Sequence, residues 1–255
     1  MFWSNPMLET TARRERRNTL LLTFLALLLA YVLWNVPAFD FLMYPLRLFT
    51  TYVHEAGHAL AALLSGGQVI GFQVAPNGSG LAVTAGGSRW LILPAGYLGA
   101  ALFGSGLFYL VNRLPRWADG LAIALGLGMA IFTVLFARPD GTSGAPIALA
   151  VGLGFAVLLV VIGAKAPRWL TILVLNVLAV LTSLNAVFDI WYIVQNSEVG
   201  SGMIRNDAAA FSALIGGILP SWLIALGWAA IALGLLALSF WHGVWKPLRR
   251  VVEDV

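Results

Sequence analysis

The sequence predicts an all-α polytopic membrane protein of about six to seven transmembrane helices with one short β-hairpin. Two observations lead to this fold class. Of the 255 residues, 60% are hydrophobic and only 10% are charged, whereas soluble proteins carry about a quarter charged residues. Apolar stretches of spanning length also follow one another through short connections rich in Gly, Pro and charge. No second soluble domain has room, so we expect a single domain over residues 1–255.

Seven apolar stretches are long enough to be considered as membrane segments. The first follows a cluster of arginines and lacks a small-residue cleavage site at its end, so it is predicted to be a retained helix rather than a signal peptide. Residues 1–17 are predicted to be a cytoplasmic tail, of which about the first twelve are unstructured. The seven stretches are 19–36, 39–64, 90–111, 118–137, 146–163, 169–194 and 214–241.

One stretch between the second and third segments differs in composition. Its sequence, GQVIGFQVAPNGSGLAVTAGG over residues 67–87, is rich in Val, Gly and Thr and has Pro-Asn-Gly-Ser-Gly in its middle. This pattern favours two short strands around a turn. We therefore predict a β-hairpin insertion over residues 67–88, with a plain polar loop as the alternative.

The charged residues bear on topology and on partners. The net charge of +4 lies on loops and ends, which indicates membrane orientation and no nucleic-acid partner. If residues 39–64 span the membrane, the Lys and Arg residues divide almost evenly between its sides. If this segment re-enters instead, eleven lie on the cytoplasmic side with the N-terminus, and the four outside are Arg47, Arg89, Arg138 and Arg205.

The segment 39–64 contains the motif His54-Glu55-Ala56-Gly57-His58. On a helix this spacing puts both imidazoles on one face, a turn apart, where they can share a zinc ion. Glu55 is placed to take a proton from a metal-bound water. The alternative is an interhelical hydrogen-bonding cluster of the two histidines without a metal. The third histidine, His242, is predicted to be an interfacial residue.

A catalytic zinc ion needs three protein ligands and one open position. The chain has no cysteine, so we expect the third ligand to be a carboxylate. Glu55 points about 100° away from His54 on the helix, which suits a base better than a ligand. Asp119 sits at the entry of a helix. Apart from Asp189, the other carboxylates lie in tails, loops or segment ends: Glu9, Glu15, Asp40, Asp140, Glu198, Asp207, Glu253 and Asp254.

Asp189 is therefore the leading candidate for the third ligand, because it and Glu55 are the two carboxylates well inside apolar stretches. Pairing with an arginine at a helix end, or a place in a polar cavity, are the alternatives for Asp189. Asn185 lies one helical turn earlier on the same face. It is predicted to hydrogen-bond a substrate carbonyl or oxyanion, with helix packing as the alternative.

Several of these pieces together resemble the site-2 protease superfamily of intramembrane zinc metalloproteases, and its small compact branch most closely. They are TYVHEAGHALAALLSGG at 51–67, LPAGYLG at 93–99, Phe188-Asp189-Ile190, and Asn206-Asp207-Ala208, which is similar to a Ser-Asp-Ala element there. The resemblance implies Zn²⁺ as cofactor, His54, His58 and Asp189 as its ligands, and Glu55 as general base. No glycine follows Asp189, a PDZ-type insertion has no room, and the superfamily's motif helix usually crosses the membrane.

The resemblance implies an endopeptidase that hydrolyses peptide bonds in or near transmembrane segments of membrane proteins. A metal or proton transporter is a second interpretation, against which the chain shows no internal repeat. A catalytically inactive scaffold is a third, against which Glu55 is retained. We expect an integral, multi-pass protein of a bacterial plasma membrane whose partners are the lipid bilayer and membrane-protein substrates.

Overall fold

The computed structural model describes residues 6–138, 144–195 and 206–253, without the side chains of 6–16, 186, 188–195 and 250–253. Within these residues six helices are long and apolar enough to span a membrane. This number confirms the predicted fold class. The candidate spans are Arg17–Asn35, Arg89–Arg113, Pro115–Phe136, Gly144–Lys165, Arg168–Asn185 and Ser221–Arg249.

The first helix is longer than the sequence pattern predicts. α1 covers Pro6–Asn35, so the chain is helical from residue 6 onward, and the prediction that about the first twelve residues are unstructured is wrong for residues 6–12. Residues 7–17 are rich in Leu, Ala, Glu and Arg, which have high helix propensity. A polar segment of such composition extends an apolar helix instead of ending it.

The motif segment forms helix α2, Asp40–Leu64, after a 3₁₀ turn at Pro37–Phe39. Pro45 lies in its second turn and has no N–H to donate to the helix. α2 carries Asp40, Arg47 and Glu55. It is not among the six helices whose length and composition suit a membrane span.

The predicted hairpin is confirmed. Strand β1, Gln68–Val74, pairs antiparallel with β2, Gly80–Ala85, and a turn at 75–79 joins them. Gly78 has φ +88°, a conformation in which glycine carries no steric penalty. Tyr44 and Thr51 of α2 donate hydrogen bonds to the carbonyls of Pro76 and Gly78, so the hairpin tip is fastened to α2.

The remaining helices follow the predicted boundaries closely until the last segment. They are α3, Arg89–Arg113; α4, Ala118–Phe136; α5, Gly144–Lys165; and α6, Arg168–Gln195. The main buried core includes residues of β1 and of helices α1 to α6, with Phe49, Phe108, Phe155 and Leu178 among its members.

The segment predicted at 214–241 is divided. A short helix α7, Asp207–Leu214, ends where that segment was expected to begin, and α8 covers only Ser221–Phe240. Gly216 and Gly217 both have positive φ and Pro220 precedes α8, so the chain turns between the two helices. A π-helical turn at Trp241–Trp245 and helix α9, Lys246–Glu253, follow.

Candidate metal centre and active site

The two motif histidines lie on the buried side of α2. Their Nε2 atoms are 3.1 Å apart and their ring centroids 4.8 Å apart, as expected for residues one turn apart on a helix. Space for both rings comes from α3, which approaches α2 closely at two glycines. A Cβ on Gly57 would overlap the carbonyl of Ala95, and a Cβ on Gly96 would overlap the Nε2 atoms of both histidines.

His58 is held in one orientation by the backbone of α3. Its Nδ1–H donates a hydrogen bond of 2.6 Å to the carbonyl of Ile92. A proton on Nδ1 leaves a lone pair on Nε2 of the neutral imidazole, which is the form that binds metal ions. Nε2 of His58 faces His54 and the centre of the site. Without a metal ion, a proton on Nε2 donates to Asp207, and loss of that proton leaves a lone pair for a metal ion.

Asp207 completes a triangle with the two histidines. Its Oδ2 lies 3.2 Å from Nε2 of His54 and 3.1 Å from Nε2 of His58. Asp207 is the first residue of α7, and the Asn206 side chain caps that helix by accepting a hydrogen bond from the N–H of Ala209. Burial by itself raises the pKa of Asp207, but the hydrogen bonds with His54 and His58 outweigh it and hold this pKa well below its usual range. The carboxylate is therefore anionic, the form that binds cations.

The chemistry of these three groups fits a metal ion. Lone pairs and a carboxylate oxygen at such distances repel one another unless a proton or a metal ion lies between them. A tetrahedral zinc ion bound at about 2.0–2.1 Å keeps its ligand atoms about 3.3–3.4 Å apart, close to the triangle of this site. His54, His58 and Asp207 form the one cluster of this kind within the described residues.

Glu55 lies beside the triangle, on the side of the hairpin. Only 7% of it is exposed, and the N–H of Ala82 in β2 donates a hydrogen bond to its carboxylate. A Cβ on Gly80 would lie 2.6 Å from Oε1 of Glu55, so the absence of a side chain there makes room for the carboxylate. β2 thus positions Glu55 next to the histidines.

α7 is docked by aromatic contacts. The Phe211 and Trp228 ring centroids are 5.6 Å apart, those of Trp228 and Tyr97 are 5.8 Å apart, and those of Tyr97 and His54 are 4.6 Å apart. A small buried cluster of α3, α7 and α8, separate from the main core, surrounds these rings. It fixes the short helix that carries Asp207.

Two cavities meet at Glu55. The larger, of about 630 Å³, runs beside β2 from Gly80 to Gly87 and contains the histidine and aspartate side chains. The smaller, of about 320 Å³, runs from Gly80 toward the hairpin tip at Asn77. His54, Glu55, Gly80 and Tyr97 line both cavities, so the two adjoin at the ionisable groups, and we refer to them together as the groove.

The other predicted site residues lie on or near this groove. Asn185 of α6 lines the smaller cavity, and Thr50 donates to its Oδ1 at 3.4 Å. Asp189 belongs to α6, one turn beyond Asn185, but its side chain lies outside the described residues, so its role as third ligand stays a prediction. His242 is in the π-helical turn after α8 and lines neither cavity.

Sequence reasoning did not include Asp207 among the candidate ligands. It grouped Asp207 with the carboxylates of tails, loops and segment ends, whereas α7 brings its Oδ2 to both imidazoles. A signal was present in Asn206-Asp207-Ala208, which is similar to an element of the superfamily. Asn206 is also a residue type that caps helix N-termini, so Asp207 directly after it marks the start of a helix.

Together, the spanning helices and this cluster indicate a multi-pass membrane protein in which His54, His58 and Asp207 lie close enough to hold a metal ion. The model of the Peptidase M50B-like family matches residues 15–239, which is most of the chain. The protein therefore belongs to the Peptidase M50B-like family, within the site-2 protease superfamily that its motifs resemble. Comparison with curated proteins and with solved structures finds no significant match.

Proposed function

We propose that the protein is a zinc-dependent intramembrane endopeptidase that cleaves peptide bonds in or near transmembrane segments of membrane proteins. The observation that carries this proposal is the partly buried triangle of His54, His58 and Asp207 with Glu55 at its edge, in a chain of the Peptidase M50B-like family. In this proposal Asp207 supplies the third ligand. Asp189 remains the alternative third ligand, because it and Glu55 are the two carboxylates well inside apolar stretches.

The residues of the groove divide the chemistry between them. A zinc ion, when bound, polarises the scissile carbonyl and lowers the pKa of a bound water toward neutrality. Glu55 accepts a proton from the attacking water and passes it to the leaving nitrogen, so that OH is added to the carbonyl carbon and H to the amine. The Ala82 N–H orients the Glu55 carboxylate for this transfer. Asn185, which lines the same groove, is the proposed donor to a substrate carbonyl.

The shape of the groove favours an extended substrate. It follows β2 and the adjacent Gly86 and Gly87, and the Ala82 N–H of that strand donates to Glu55. An extended chain laid along that edge adds a strand to the hairpin and presents its backbone to the site. A helical substrate segment has to unwind first, since its own hydrogen bonds shield its peptide bonds.

We also propose six membrane crossings, with α2 entering the membrane from outside and not crossing it. α2 is not among the six helices that suit a span. In this topology the N-terminus is cytoplasmic, and eleven of the fifteen Lys and Arg residues are inside, as the positive-inside rule requires. The hairpin and the site then face the outside of a plasma membrane.

The test of the proposed function is the variant Glu55→Gln, which removes the base and keeps all three triangle residues. We expect it to retain zinc and the fold and to lose about two to four decades of cleavage rate. Purified wild type and variant in detergent are compared on a degenerate peptide library, with products identified by mass spectrometry. Equal cleavage by both proteins would contradict the mechanism, and metal transport without cleavage in liposomes would favour the transporter.

A further inference from the structure

The smaller cavity contains a charge that the proposed chemistry does not use. Arg47 lines its wall together with Trp34, Thr50, Thr51, Asn77 and Asn185, and we refer to this space as the Arg47 cavity. Among the described side chains, Arg47 is the one Lys or Arg residue in its lining, and the acidic residue is Glu55. Arg47 therefore places a guanidinium, which is ion-paired with Asp40, in the part of the cavity away from Glu55.

Arg47 lies on the same face of α2 as the site. Residues 47, 51, 54 and 55 follow the helical spacing of i, i+4, i+7 and i+8, and all four line the Arg47 cavity. Eight residues of helix separate Arg47 from Glu55 by about 12 Å along the axis. An extended chain covers that distance in about three to four residues.

The guanidinium of Arg47 is able to take a further acceptor. Its Nη2 donates to Oδ1 of Asp40 at 2.6 Å, but the side chains of this pair are 43% and 67% exposed. An ion pair in such contact with solvent contributes little and is exchanged easily. A guanidinium has five N–H donors in a planar fork, which suits a second carboxylate.

We propose that the Arg47 cavity is a specificity subsite that binds an acidic side chain of the substrate. The aspartate or glutamate lies about three to four residues from the scissile bond. It is always on the same side of that bond, in the part of the substrate that occupies this cavity. This inference rests on the proposed function, because the position of the subsite is defined relative to the cut made at Glu55. It assigns a substrate class: segments with an acidic residue at a fixed distance from the cleavage point.

The experiment profiles the purified, detergent-solubilised full chain on a degenerate peptide library and sequences the products by mass spectrometry. For the wild type we expect Asp and Glu to be enriched about fivefold at one position, three to four residues from the cut. Arg47→Gln should flatten this preference, and Arg47→Glu should replace it with Lys and Arg at the same position. Arg138→Glu is the matched control, because Arg138 is exposed at the end of α4 and lines neither cavity.

The outcomes separate this inference from the function on which it rests. Cleavage that depends on Glu55 but shows no acidic preference would overturn the subsite and leave the endopeptidase standing. An equal loss of cleavage of all peptides in Arg47→Gln and Arg47→Glu would mean that Arg47 only maintains the fold, and would also overturn it. A library left uncut by the wild type would contradict both proposals.

Discussion

Asp207 reaches the histidines from a helix of only eight residues, which starts at Asp207 itself. Because it occupies the first turn, its carboxylate lies at the positive end of the helix dipole and is further stabilised as an anion. The Asn206 cap and the aromatic contacts of Phe211 fix that turn against α3 and α8. A single residue of a short connecting helix thus completes the triangle.

The two candidate third ligands are separated by matched substitutions. Asp207→Asn keeps the size of the side chain and removes its charge, so we expect zinc affinity to fall by at least about tenfold with cleavage lost. Asp189→Asn should change zinc affinity little. Zinc competition titrations of the two purified variants measure the difference. The opposite order of affinities would identify Asp189 as the ligand.

Sequence reasoning identifies the motif residues but not their partner, and the reason is physical. Helical spacing alone brings His54 and His58 together, so the pentapeptide is sufficient to predict their contact. Asp207 is 149 residues from His58, and no local periodicity encodes a contact over that separation. Asp189 was favoured because it lies deep in an apolar stretch. That criterion overlooks a carboxylate on a short helix between membrane spans, such as Asp207.

At the scale of elements, the close approach of α2 and α3 determines the room at the site. The hairpin and the spanning helices are predictable because alternation and long apolar runs are local patterns. The close approach of two helices is not predictable in this way, since it depends on which glycines face each other. Gly57 and Gly96 face each other here, and neither position has space for a Cβ.

Gly96→Ala tests this contact. The added methyl would overlap both Nε2 atoms, so we expect loss of most bound zinc and of cleavage while the protein still inserts and folds. Gly106→Ala in the same helix is the control, because a Cβ there meets nothing within 4 Å. Zinc content and thermal unfolding in detergent are measured for both. Full zinc occupancy in Gly96→Ala would show that the histidines do not use this space.

At the scale of the whole molecule, the groups of the site lie at one end of the helix bundle. Gly144 at the start of α5 lies against Gln73 of β1, and Asp207 of α7 lies against α2. The hairpin, the start of α5 and α7 therefore share one end of the helix bundle. The hairpin, the start of α5 and α7 lie at the same end of the bundle whether or not α2 crosses the membrane. The topology decides only which side of the membrane this end faces.

Single cysteines decide that side, since the natural chain has none. With α2 not crossing, Asn77→Cys at the exposed hairpin tip should react with a membrane-impermeant maleimide added to intact cells. Arg116→Cys, exposed between α3 and α4, should react only after the cells are opened. Labelling of Asn77→Cys from the cytoplasmic side alone would contradict six crossings and restore α2 as a spanning helix.

The metal content of the purified protein tests the central claim most directly. Two imidazoles and a carboxylate with an open position suit zinc, so the wild type is expected to contain about one zinc ion per chain. The double variant His54→Ala, His58→Ala should contain almost none, although it keeps the membrane helices. Mass-spectrometric metal analysis of both proteins, after dialysis against a weak chelator, gives the answer. Stoichiometric zinc retained in the double variant would contradict the assignment of the site.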